Sequence, residues 1–137
     1  MAGQQTIDPH EQAFIEGFVQ KWRRERAFLC LADLRRRRKF TGRFAHHGRD
    51  ILMPECLRSV VPSQQHAKDI YSILVSLGAP ERCHVISENG SLDGKEMDLL
   101  LCLREVVGCG MGTVISCIPG RLGYFEGEVR ERYILQR

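Results

Sequence analysis

A chain of 137 residues with 43% apolar and 27% charged side chains has the profile of one soluble globular domain. This excludes a disordered, collagenous or fibrous protein, and a domain of this size buries about two-thirds of its unfolded surface without disulfide staples. The net charge of +3 hides an asymmetry: residues 1–50 carry eleven basic and six acidic side chains, the remainder nine and eleven.

The first eight residues, Met1 to Asp8, have no positive start and no apolar run after it, so no secretory signal is expected. The longest apolar runs, 27–32 and 99–103, fall far short of the ~18 residues a membrane helix requires. A cytoplasmic protein without a membrane partner is therefore expected. Cysteines 30, 56, 83, 102, 109 and 117 form no Cys-x-x-Cys pair and are expected to be reduced and mostly buried.

Asp8-Pro9-His10-Glu11 predicts a helix start, with Asp8 as cap, Pro9 at the first helical position and Glu11 in the acidic place of a capping box. Phe14, Ile15, Phe18, Val19 and Trp22 follow at three- and four-residue steps and give that helix an apolar face. A second helical stretch, about Glu25 to Ala45, carries Phe28, Leu31, Leu34, Phe40 and Phe44. Whether the two stretches are continuous near Arg23 stays open. His46-His47-Gly48 predicts the end of the second, with Gly48 as its cap. Residues 49–62, with Pro54 and Pro62, read as a connecting loop. Ser63 is expected to cap a third helix whose apolar face is Ala67, Ile70, Tyr71, Leu74 and Leu77, closed by Gly78 and Pro80.

After Pro80 the period changes. Cys83 to Ser87 reads as a strand, and Glu88 to Leu92 as a polar loop. Asp93-Gly94-Lys95-Glu96 repeats the capping-box pattern and predicts a fourth helix to Val107, with Gly108 at its end. Thr113 to Ile118 is a β-branched strand, Pro119-Gly120 a turn, Leu122 to Glu126 the half-buried return of a hairpin, and Arg132 to Leu135 the last strand of a meander. The expected fold is one α+β domain. N-terminal helices (about 8–78) pack on a small, mainly antiparallel C-terminal sheet (about 82–137) of order β-α-β-β-β.

Arg35, Arg36, Arg37, Arg38 and Lys39, with Arg43, are the candidate polyanion-binding residues. Five consecutive helical residues point all the way round, however, so part of the run must be a solvated face. Glu88, Asp93, Glu96 and Asp98, with His84 just before them, are the candidates for a general base or a hard-cation site. A capping box already accounts for Asp93 and Glu96, and the spacing fails the EF-hand pattern. The glycine-rich stretch 108–113 resembles a phosphate-cradling loop, but such loops need a strand before and a helix after, the reverse of the order here. Cys109 or Cys117 would need a histidine neighbour to act as a nucleophile, and no sequence rule supplies one. There is no Gly-x-Ser-x-Gly, His-Glu-x-x-His or Gly-x-x-x-x-Gly-Lys motif. No metal or other cofactor is expected. Three functions follow in order. The first is a non-enzymatic binding or regulatory module that meets an unknown protein, or a second copy of itself as a homo-oligomer, through its sheet edge, where the short final strand is expected, or an aromatic helix face. The second is a nucleic-acid-binding protein whose basic helix tracks phosphates. The third is a small metal-dependent hydrolase or nuclease.

Overall fold

The computed structural model describes residues 7–128 and 131–137. Helices α1 (Pro9–Phe18), α2 (Arg24–Leu31) and α3 (Leu34–Ile51) come first, followed by strand β1 (Leu57–Ser59) and helix α4 (Ala67–Ser76). Then come β2 (Arg82–Ser87), β3 (Glu96–Asp98), α5 (Leu99–Val106), β4 (Thr113–Ile118), β5 (Leu122–Glu126) and β6 (Arg132–Gln136). The six strands form one sheet in the order β1-β6-β5-β4-β2-β3, and every pair is antiparallel. The α+β class and the helices-then-sheet order agree with the sequence reading.

Helices cover both faces of the sheet. On one face Ile86, Val114, Phe125 and Leu135 meet Phe14, Phe18, Leu31, Phe40 and Phe44 of α1–α3. On the other, Val85, Ile115, Tyr124 and Ile134 meet Ile70 and Leu74 of α4 and Leu99, Cys102 and Leu103 of α5. The alternation of side chains across the pleat thus feeds two cores. β5 is buried on both sides rather than half-exposed, because Tyr124 and Phe125 enter opposite cores.

Local chemistry explains most elements. The Asp8 carboxylate accepts from the backbone N–H groups of His10 and Glu11 and caps α1, as expected. Asp33 is extended, and its carboxylate accepts from Arg35 N–H, so the expected second stretch is two helices divided before Leu34. The apolar positions of these helices pack into the core, Phe28 partly, with two exceptions: Trp22 and Leu34 are 72% and 84% exposed.

Other expectations are corrected. Gly48 does not end α3, which runs to Ile51 through a kink at His47. Its missing side chain admits the Phe125 ring, which a Cβ would strike. Gly112 similarly lies against the backbone at Phe44–Ala45, so α3 settles close onto the sheet. Ser63 is not a cap: a short 3₁₀ turn spans Pro62–Gln64, and α4 starts at Ala67 after His66. Part of the supposed loop 49–62 is β1, an edge strand paired with β6. The final strand is therefore interior, between β1 and β5, and offers no free edge. Asp93 and Glu96 start no helix. Glu96 opens β3, and Asp98 caps α5 by accepting from Leu101 N–H.

Candidate functional site

The chain leaving α1 is fastened to the end of α3. Val19 and Leu52 form an isolated antiparallel bridge; Gln20 N–H donates to Ile51 O at 2.9 Å and Met53 N–H to Phe18 O at 2.8 Å. This clasp sets the 3₁₀ turn Lys21–Arg23 and lays α2 along α3. Between them opens a cleft of about 360 Å³. Its floor is apolar, formed by buried Ala27, Phe40 and Ile51 with half-buried Cys30; exposed Leu29 also lines it, together with Arg23, Arg26, Arg36, Lys39 and Arg43.

Helical spacing accounts for the lining. Residues 23, 26, 27 and 30 stand at i, i+3, i+4 and i+7 along the turn and α2; residues 36, 39, 40 and 43 repeat that spacing on α3. Each face presents cations beside one or two apolar positions. Among the described residues no acidic side chain lines the cleft; Arg36 alone of its five cations has an acidic partner, Asp33 at 3.6 Å. Beside it, the Arg23 guanidinium lies 4.2 Å from the Trp22 ring centroid, and the indole N–H donates to Gln20 Oε1 at 3.0 Å. The Gln20 amide in turn donates to the carbonyls of Asp50 and Leu52 at 2.9 and 3.2 Å. An exposed tryptophan is thus held on a rigid support.

The basic run divides three ways. Arg36, Lys39 and Arg43 line the cleft. Arg35 and Arg38 are exposed but lie outside its lining. Arg37 is withdrawn from the polyanion set, because its guanidinium is taken up inside the protein. It donates to both Glu11 oxygens at 2.7 and 2.5 Å, to both Asp93 oxygens at 2.5 and 3.1 Å, and to Leu31 O at 3.3 Å. This junction joins α1, α3 and the loop after β2, where Ser87 N–H also donates to Asp93. Burial pushes the Glu11 carboxyl up, but the hydrogen bonds from Arg37 and His84 outweigh it and hold the group below its ordinary value. The same carboxylates hold the Arg37 proton more firmly than usual against the effect of burial.

The acid–base candidates do not converge on a cleft. His84 is buried, with Nε2 2.7 Å from Glu11 Oε2 and its ring stacked 5.2 Å from His10. Asp93 is engaged by Arg37, Glu96 is exposed 3.9 Å from Arg82, Asp98 caps α5, and half-buried Glu88 makes a backbone bond to Gly112 O. Among the described residues no group of three or more His, Cys, Asp or Glu side chains is placed to hold a metal ion. Burial pushes the Cys117 thiol up, which opposes thiolate formation, while exposed Cys109 donates to Glu105 O at 2.9 Å.

The glycine-rich loop does surround an anion, one of the protein's own. Glu126, buried in β5, accepts from Gly108 N–H (3.1 Å) and Gly110 N–H (3.0 Å), and from the Tyr124 hydroxyl at 2.7 Å. Arg132 Nε stands 3.5 Å away.

A second cleft, of about 510 Å³, is lined by His46, His47, Arg49, Asp50, Glu131 and Tyr133 among others, with charges of both signs. Of the supports expected for a protein partner, the final strand lies between neighbours, leaving β1 and β3 as the sheet's edges, and the aromatic face of α1 and α3 fills a core. Among the described residues no helix is long and apolar enough to cross a membrane. No family model, curated protein or solved structure shows significant similarity to the chain.

Arg23, Arg26 and Trp22 lie outside the set of site residues expected from the sequence. The eight-residue spans 23–30 and 36–43 carried a signal, since cations and apolar residues recur in both at the same helical steps.

Proposed function

We propose that this protein is a non-enzymatic binding module whose ligand is a phosphate-rich polyanion, held in the cleft between α2 and α3. The supporting observation is the pairing of two helical faces that together offer Arg23, Arg26, Arg36, Lys39 and Arg43 to one apolar-floored groove without an acidic side chain. Cations held together this way repel one another, and a bound anion relieves that repulsion. The deeply paired Arg37 shows the alternative fate of an arginine on the same helix: internal carboxylates satisfy it.

The test is binding of a labelled oligonucleotide across a salt series. If all five cations meet phosphates, the log–log slope on a single strand is about −3.5; the double variant Lys39→Ala/Arg43→Ala brings it to about −2. The control is Arg35→Ala/Arg38→Ala, which removes the same charge outside the cleft and leaves most of the affinity. Equal losses in the two variants would reduce the site to a diffuse basic surface.

A further inference from the structure

Resting on the polyanion reading, we infer that the cleft takes single-stranded nucleic acid, with an unpaired base stacked on Trp22 and the backbone running between the cationic walls. A simple polyanion uses the charges but leaves the apolar groups beside them without a role. Trp22 is 72% exposed and Leu29 is 53% exposed, both in the midst of cations, and the cleft floor is apolar. A ligand matching that surface must alternate negative charge with flat apolar faces at short intervals, as a strand with unpaired bases does.

The platform is prepared in advance. The indole N–H is engaged by Gln20, and Gln20 is anchored to two carbonyls at the end of α3, so the ring's position is set before any ligand arrives. Arg23 lies over the ring. Among the described residues its Nε is shielded from water and has no hydrogen-bond partner. The guanidinium thus joins the stacking platform to the phosphate-binding wall. A duplex keeps its base faces stacked inside and presents phosphates and base edges, with no face for an indole to stack on. A bilayer is a poor match, because membrane-binding helices present a broad continuous apolar face, whereas here the exposed Trp22 and Leu29 lie among five cations that line or adjoin the same cleft.

Trp22 is the chain's one tryptophan, so its fluorescence reports this platform alone. The full chain is titrated with twelve-nucleotide oligo-dT, with the same strand in duplex with oligo-dA, with inorganic polyphosphate, and with phosphatidylserine vesicles. Oligo-dT is expected to quench the emission strongly, while duplex and polyphosphate bind with little quenching. By labelled-strand anisotropy, Trp22→Ala is expected to weaken oligo-dT about 5- to 160-fold, the range for loss of one stacked base. Duplex binding stays unchanged, and Trp22→Phe restores most of the loss. Salt-dependent binding of every polyanion with no quenching and no effect of Trp22→Ala would overturn the stacking inference and leave the polyanion reading standing. No salt-dependent binding to any polyanion would overturn both. Trp22-dependent binding to the vesicles tighter than to oligo-dT would replace the nucleic acid with a membrane surface.

Discussion

Arg37 has a side chain 12% exposed between the carboxylates of Glu11 and Asp93, whereas Arg36, the residue before it, is 62% exposed and reaches Asp33 only at 3.6 Å. The inner junction around Arg37 and the outer cleft around Arg36, Lys39 and Arg43 are built from the same side-chain chemistry on one helix. They differ in register. A step of one residue turns a helical side chain by about 100°, enough to move an arginine from the sheet side of α3 to the side facing α2. On the inner side each guanidinium edge meets a carboxylate, and the charge becomes part of the architecture. On the outer side five cations gather with Asp33 as their one acidic partner among the described residues, and the proposed binding of a polyanion rests on that imbalance.

The largest test of this contrast is Arg37→Ala. It leaves two carboxylates in and near the core without their cation and should remove about 3–5 kcal/mol of stability, measured from the urea midpoint. A loss under about 1 kcal/mol, the scale of exposed ion pairs, would make the inner junction no different from the outer cleft.

The acid side separates the regions next. His10 is held below its ordinary 6.5 by burial first and by the neighbouring His84 second, against the raising influence of Asp8, Glu11 and Glu96. The unfolded chain therefore takes up a proton that the folded one resists, and stability should decline as pH falls below about 6.5. Glu11 works lower. Its contribution is present above its ordinary value of 4.5 and is lost as pH falls through its lowered folded value. Urea midpoints from pH 8 to 3 should show both declines, and His10→Gln should abolish the first alone. A first decline that survives in His10→Gln would assign it elsewhere.

The smallest effect is expected where binding changes most. Lys39→Ala/Arg43→Ala should leave stability within about 0.5 kcal/mol of the parent, since both side chains are exposed and have no acidic partner among the described residues. A marked gain in stability would measure the repulsion held in the cleft and would sharpen the contrast. A marked loss would show that these cations, like Arg37, serve the fold.

The elements legible in the sequence were those written locally. Asp8 and Pro9 announce α1, the three- and four-residue apolar steps announce α4, and the β-branched run with Pro119-Gly120 announces the β4–β5 hairpin. Elements that depend on distant partners were lost. β1 is a strand because β6 lies beside it, with partners 74 to 78 positions along the chain. Asp93 bears the marks of a cap, yet Arg37 and Ser87 N–H claim it, and that contest is decided 56 residues away. Gly48 has the composition of a helix end but serves the close approach of Phe125. For the site, charge alone marked α3 correctly as basic but could not sort Arg37 from Arg36. The helical phase of Arg36, Lys39 and Arg43 was readable. That α2 would bring Arg23 and Arg26 against it was not, because the clasp between Val19–Gln20 and Ile51–Met53 joins segments over 30 positions apart.

The enclosure of Glu126 by Gly108, Gly110 and Tyr124 has a consequence for where a phosphate can go. Backbone N–H groups converging on one point form a nest that recruits anions from solution. In this protein the nest comes with a resident already attached by a peptide chain, at an effective concentration no free phosphate can match. A resident carboxylate closes the glycine loop to incoming phosphates and, through β5, staples the end of α5 to the middle of the sheet. The two surfaces thus differ in kind: the glycine loop is furnished with an anion from within, and the cationic cleft holds no acidic side chain of its own among the described residues.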